Sequence, residues 1–244
     1  MLFLEGHYLK GVVIDIDGTI LDSLSHYLML LNEVLAEIGQ PPVTRDVMFK
    51  YLGDGINLKE MLRKLIPGGD DVIFKKVAMS ILERFRKIDL ELPLFPGVRE
   101  VFDFLKEKNM KIGVATGRNT RVNYEWERMR IKGLDHLVDT IVTVAEVERR
   151  KPFPDLIIEC ARRLDLSPND CLAIGDSIDD IVAAKRAGSV PVAVSTGIDD
   201  RDTLISESPR AVLGSFYDLI ALFNGRLASS ANSAHTMGSI GFYE

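Results

Sequence analysis

The sequence predicts an α/β protein: a doubly wound parallel sheet with an α-helical block inserted after its first strand. Two patterns carry this expectation. Short apolar runs alternate with amphipathic segments from residue 98 onward, the signature of strand–helix crossovers that build a parallel sheet. Between Leu24 and about Leu92, by contrast, helical periodicity follows helical periodicity with no convincing strand.

The first strand is Val12–Ile16, a continuous apolar run in VVIDIDGTILDS, as expected of a strand buried on both faces. Gly18 breaks it. Leu24, Leu28, Leu31, Leu35 and Ile38 then fall at helical spacing, with Gly39 as a stop and Pro41-Pro42 as a loop. Further helices are expected from about Thr44, from Leu58 to Ile66, and across residues 70–88. Pro93, Pro96 and Gly97 mark the return. Helices at Val98–Lys108, Pro154–Leu164 and Ile181–Ala187 then alternate with strands at Lys111–Ala115, Thr140–Val144, Cys171–Ile174 and Val190–Val194. This divides the chain into a core (1–20 and 96–224), a helical cap (21–95) and a Ser/Ala/Gly-rich tail (225–244), expected to be a frayed terminus despite Phe242 and Tyr243.

Composition narrows the function. The chain has 244 residues, 46% hydrophobic and 27% charged, with a formal charge of −6. A dedicated nucleic-acid or membrane-surface binder would need a basic face, so neither is expected. The cap is near neutral, with ten Lys/Arg against eleven Asp/Glu, so most of the acidic excess lies in the core. Cys160 and Cys171 lack metal-site spacing and fit buried free thiols in a reducing cytoplasm. The start, MLFLEGHYLK, does not have the pattern of a signal peptide, and no apolar run reaches membrane-spanning length. A cytoplasmic monomer or homodimer is expected.

Asp15 and Asp17 would emerge at the carboxyl end of the first strand, where ligands of open α/β sheets collect. Two carboxylates this close repel unless a cation or a proton lies between them. An EF-hand calcium loop also opens with Asp-x-Asp, but its fifth, sixth and twelfth positions would here be Thr19, Ile20 and His26, which do not fit. Three further polar stretches follow predicted strands: ATGR at Ala115–Arg118, KPFPD at Lys151–Asp155 and GDSIDD at Gly175–Asp180. Each alone is commonplace. Together they supply a carboxylate nucleophile, a second carboxylate, a hydroxyl, a lysine and a further acid pair, which is a complete set for phosphoryl transfer.

These four motifs, in this order, resemble the haloacid dehalogenase superfamily of aspartate-nucleophile phosphatases across about residues 10–223. GDSIDDIVAAKRAG is particularly similar to the branch holding phosphoglycolate phosphatases and β-phosphoglucomutases, which carries a helical cap on a Rossmann-like core. The resemblance implies that Asp15 attacks phosphorus, Asp17 is general acid then base, Thr116 donates to a phosphoryl oxygen, and Lys151 neutralises charge. It implies Mg²⁺ held by Asp15, the Asp17 carbonyl and Asp176, with Asp180 at the metal or its waters. Gly117, Arg118, Gly53 and Gly55 are candidate substrate contacts, although a surface role for Arg118 stays open. An acid at Asp17 points to phosphate esters and away from dehalogenation, because a leaving alkoxide needs a proton and a halide does not. Asp22 fits a capping or hinge residue, and Asp179 a solvated neighbour. The substrate class expected is a small phosphorylated metabolite, phosphoglycolate being the family-level example. A phosphomutase is the alternative, weakened because β-phosphoglucomutases carry a histidine where this chain has Tyr27.

Overall fold

The computed structural model describes residues 2–4, 7–54 and 56–225. Gly55 and the tail from residue 226 lie outside them. Six parallel strands form the main sheet: β3 (Gly11–Ile14), β4 (Lys111–Thr116), β5 (Thr140–Thr143), β6 (Cys171–Gly175), β7 (Val190–Val194) and β8 (Ala211–Leu213). Their spatial order is β5-β4-β3-β6-β7-β8. The chain builds outward from β3 through β4 and β5, then crosses back to lay β6 on the other side of β3. That reversal creates a crevice at the carboxyl ends of β3 and β6.

β3 is central because it can be buried on both faces. Val12 and Ile14 enter one apolar cluster with Phe102, Ile112, Val114 and Phe216. Val13 enters the opposite one with Ala115, Leu156, Cys160 and Ala173. None of the three is more than 2% exposed, and each such side chain contributes about 1.5–3 kcal/mol by leaving water. Register fixes the strand ends: Ile14 lies level with Val114 and with Ile174. Asp15 therefore leaves the sheet between Thr116 and Asp176, the residues that end or follow its neighbours.

The helices flanking the sheet are α5 (Val98–Glu107), α6 (Val122–Ile131), α7 (Asp155–Arg163), α8 (Ile178–Ala187), α9 (Arg201–Ser206) and α10 (Asp218–Phe223). α8 starts three residues before the apolar pattern suggests. Ser177 caps it, exchanging hydrogen bonds with Asp180 in a capping box, and that local bonding extends the helix across polar positions. The strands β1 (Leu2–Leu4), β2 (His7–Leu9) and β8 and the helices α6, α9 and α10 are not among the elements expected from the sequence. β8 is three residues long, and β1 pairs antiparallel with β2 in a separate two-stranded sheet.

Between β3 and α5 stand α1 (Ser23–Glu37), α2 (Arg45–Gly53), α3 (Leu58–Leu65) and α4 (Asp71–Ile88). They share their own apolar cluster, including Leu31, Leu35, Met48, Leu62, Phe74 and Ile81. Asp22, Thr44, Asn57 and Asp70 each cap one of these helices through a side-chain oxygen. The two connections to the sheet run side by side: Leu21 bridges Leu94 antiparallel, Asp22 N–H donates to the Pro93 carbonyl (3.1 Å) and Phe95 N–H to that of Ile20 (2.9 Å). Among the described residues no helix is long and apolar enough to cross a membrane.

Candidate active site

Asp15 follows β3, its N–H donating to the Ile174 carbonyl at 2.9 Å. Lys151 arrives from the loop after β5. Its ammonium lies 2.6 Å from Asp15 Oδ1 and 2.6 Å from Asp180 Oδ1, and donates to the Ala115 carbonyl at 3.1 Å. One buried cation thus bridges the ends of β3, β4 and α8. Burial alone would lower its pKa. Asp15 and Asp180 outweigh burial and hold its pKa above the usual lysine value.

Asp15 does not balance so neatly. Burial pushes its carboxyl up, Lys151 pulls it down, and Asp180 and Asp17 push it up again, to about 7. Asp176, just past the end of β6, is raised well above its ordinary value by burial, then by Asp180 and Asp15. It accepts from Thr19 Oγ1 (3.2 Å) and from the Ile198 N–H (2.8 Å). Two glycines make room for it. Gly18 turns at φ +74°, and a Cβ there would sit 2.3 Å from Asp176 Oδ2; a Cβ on Gly197 would sit 1.7 Å from the same oxygen.

This region is short of positive charge. Asp15 and Asp180 share one lysine, and both carboxylates press the pKa of Asp176 upward. Such hard oxygen donors in a glycine-walled cradle fit a small divalent cation. Among the described residues no three carboxylate, imidazole or thiolate side chains form a ready-made cage. Mg²⁺ does not require one, because it keeps waters and binds through one or two carboxylates plus substrate oxygens. Asp180, one of the expected ligands, is engaged by Lys151 and by Ser177 Oγ (2.5 Å). Asp179 is exposed beside it.

On the other side of Asp15 every carboxylate has a guanidinium partner. Asp17 is gripped by Arg118, whose Nε donates to Oδ2 at 2.7 Å and Nη2 to Oδ1 at 2.5 Å. Thr116 is fully buried, and its hydroxyl oxygen accepts from the Arg118 N–H at 3.2 Å, leaving its proton to donate. Gly117 is exposed, with open space where a side chain would project. Arg118 thus has a built position at Asp17 and is no loose surface arginine. Sequence reasoning missed its second partner, Asp89, which lies at the C-terminal end of α4 and outside all four motifs. Only folding brings the Asp89 Oδ1 to Arg118 Nη1, at 2.7 Å.

Gly53 lies away from this centre. It faces Asp199 across a polar cleft of about 730 Å³ between α2 and the loop after β7, also lined by Arg45, Lys50, Ile198 and Arg201. Asp15, Asp17, Thr116 and Lys151 do not line that cleft, but Gly197 and Ile198 belong both to it and to the surroundings of Asp176. Asp22 caps α1, and its carbonyl lies 2.7 Å from His26 Nδ1. Tyr27 packs edge-on against Phe85, with ring centroids 5.7 Å apart.

Comparison with known proteins identifies the family. The haloacid dehalogenase-like hydrolase family matches residues 12–194. The chain is 27% identical over 218 residues to a phosphoglycolate phosphatase of Nitrosospira multiformis, covering 88% of this chain and 95% of that protein. It is 32% identical over 190 residues to YhcW of Bacillus subtilis, a protein named as a candidate phosphatase, covering 76% and 83% respectively. Its fold is similar to that of a predicted phosphoglycolate phosphatase from Haemophilus somnus, with a TM-score of 0.73 at 21% identity over 88% of this chain and 98% of that one. With its motifs gathered at one sheet edge and this family matched across most of its length, the chain belongs to the haloacid dehalogenase-like hydrolases.

Proposed function

We propose that this hydrolase is a Mg²⁺-dependent phosphatase acting on a small phosphorylated metabolite through an aspartyl-phosphate on Asp15. The observation that carries the proposal is the Asp15–Lys151 pair at 2.6 Å, buried at the sheet's switch point with Asp176 alongside. Lys151 orients the Asp15 carboxylate and offsets the charge of an incoming phosphate. Asp15 attacks phosphorus while the ester P–O bond breaks, and Asp17 gives its proton to the departing oxygen. In the second half Asp17 takes a proton from the water that attacks phosphorus, which frees Asp15 and releases phosphate. Thr116 donates to a phosphoryl oxygen. The metal, held by Asp15, the Asp17 carbonyl and Asp176 with Asp180 beside them, would supply the positive charge this half of the site lacks.

In this proposal residues 21–95 act as a cap over the core formed by 1–20 and 96–224. The paired connections at Leu21–Leu94 serve as its hinge, and the polar cleft beside Gly53 is where substrate specificity is read. Phosphoglycolate is the first substrate to try, since it is what the similar Nitrosospira multiformis enzyme is named for. Tyr27 packs against Phe85, and burial pushes its phenol up to about 12, so it is a poor acid–base substitute for the mutase histidine, which favours transfer to water over transfer to a sugar. The test is phosphate release from a panel of phosphorylated metabolites with Mg²⁺, for wild type and Asp15→Asn. Release by the wild type and its loss in the variant are expected. A variant that turns over at the wild-type rate overturns the assignment.

A further inference from the structure

Arg118 uses both edges of its guanidinium. One edge holds the two oxygens of Asp17, at 2.7 and 2.5 Å. The remaining Nη1 donates to Asp89 Oδ1 at 2.7 Å. Asp89 is itself fixed: its Oδ2 accepts from Arg128 Nη2 (2.7 Å) and from the Tyr124 hydroxyl (2.9 Å), and its backbone carbonyl accepts from Arg128 Nη1. Arg128 is fully buried, with its Nε on Glu125, which is also fully buried (2.7 Å). Behind it, Glu125 accepts from Thr120 Oγ1 at 2.8 Å.

The network is therefore a rigid ladder from α6, through the C-terminal end of α4, to Asp17. A guanidinium gripping one carboxylate by two parallel bonds has its plane set by that carboxylate. Pinning its third nitrogen to a second, immobile carboxylate reverses the relation: the plane is set by Asp89, and Asp17 must conform. Burial strengthens each link, because the surroundings screen these charges less than water would.

The geometry points to Asp89 as a positioning residue for the hydrolytic reaction. Through Arg118 it fixes the direction in which Asp17 presents itself to the departing oxygen. The role rests on the proposed phosphatase chemistry, in which Asp17 protonates that oxygen. It predicts an effect that depends on the leaving group. An alkoxide needs a well-placed acid, while p-nitrophenolate departs with little help. Loosening Asp17 therefore slows alkyl esters more than aryl esters, whereas a general loss of folding slows both alike.

The experiment compares kcat and KM for β-glycerophosphate and p-nitrophenyl phosphate, with Mg²⁺, in wild type, Asp89→Asn, Arg118→Lys and Asp15→Asn. Asp89→Asn removes the charge that pins Arg118. Arg118→Lys keeps a cation beside Asp17 but cannot span both carboxylates. In each, the ratio of alkyl to aryl kcat is expected to fall about tenfold or more, a part of the roughly 10²–10⁴-fold that a positioned general acid contributes. Asp15→Asn is expected to lose both activities. An unchanged ratio in Asp89→Asn, with Asp15→Asn inactive, overturns the positioning role and leaves the phosphatase proposal standing. Should Asp89→Asn fail to fold, Arg118→Lys decides: a selective fall in alkyl kcat supports the role, and a matching rise in KM for both esters overturns it by making Arg118 a substrate contact. A wild type active on the aryl ester alone also overturns it. Full activity in Asp15→Asn, or a wild type inert to both esters, defeats the phosphatase proposal and this role with it.

Discussion

The two sides of Asp15 solve the problem of buried charge in opposite ways. Toward β6 and α8, three carboxylates share Lys151, and Asp15 and Asp176 are both pushed up in pKa. Toward α6, Asp17, Asp89 and Glu125 meet Arg118 and Arg128 in short paired bonds. There burial pushes the Asp89 carboxyl up, but the two guanidiniums outweigh it and hold the group below its ordinary value. Three carboxylates to two guanidiniums still leave an excess negative charge, but each carboxylate is paired, and a buried network paired in this way fixes geometry. A side where one lysine serves three carboxylates leaves binding free energy for whatever brings the missing charge. Under the proposed function, the acid-rich side would receive a cation and a phosphate, and the paired side would hold Asp17 still.

The sharpest way to break this comparison is Asp15→Asn, which removes the proposed nucleophile from the acid-rich side. Activity is expected to fall by at least about 10³-fold, as when a covalent nucleophile is deleted elsewhere, measured by phosphate release. Next in size is the response to metal. Chelation should abolish turnover, and Mg²⁺ at about 100 times its dissociation constant should stabilise the fold by about 2.7 kcal/mol. That corresponds to a rise in Tm of about 5–10 °C for a chain of this size. The shift should vanish in Asp176→Asn and persist in a folded Asp89→Asn; equal shifts in both would erase the distinction between the two sides.

A smaller effect is expected from Gly197→Ala. Its new methyl would collide with Asp176 Oδ2, so the carboxylate or the loop must move. Overpacking of this kind costs about 1–3 kcal/mol, and the apparent affinity for Mg²⁺ should weaken with it. The smallest effect concerns pH. Because Asp89 is held below its ordinary value of 3.8 when folded, its contribution to stability is complete above that pH. It is lost only as pH falls through the lowered folded value. Wild type should therefore lose stability relative to Asp89→Asn on acidification below about pH 4, in denaturant titrations at stepped pH. A constant difference would show that the paired side does not depend on that charge.

How far the sequence can be read follows from how local each signal is. The apolar run from Val12 announces a doubly buried strand, and the burial of both faces agrees, although the strand spans Gly11–Ile14 and stops short of Ile16 as the chain turns out at Asp15. The four insert helices are legible from periodicity, and their starts from Asp22, Thr44, Asn57 and Asp70, because a capping bond closes within three residues. β8 is not, since three residues carry too little periodicity to distinguish a strand from a loop. The same holds for Asp89, which sits in a stretch that reads as an ordinary helix end. Its significance depends on Arg118 and Arg128, which lie 29 and 39 positions further along the chain.

Reading along the chain was enough to find which residues carry charge, which strands they follow and the order in which they come. Those properties are encoded in short segments whose physics is local. The tertiary structure alone decided the pairing of charges. It placed Lys151 between Asp15 and Asp180, and it placed Arg118 between Asp17 and Asp89. Electrostatic partnership falls off with distance through space, and distance along the chain says nothing of it until the sheet has closed.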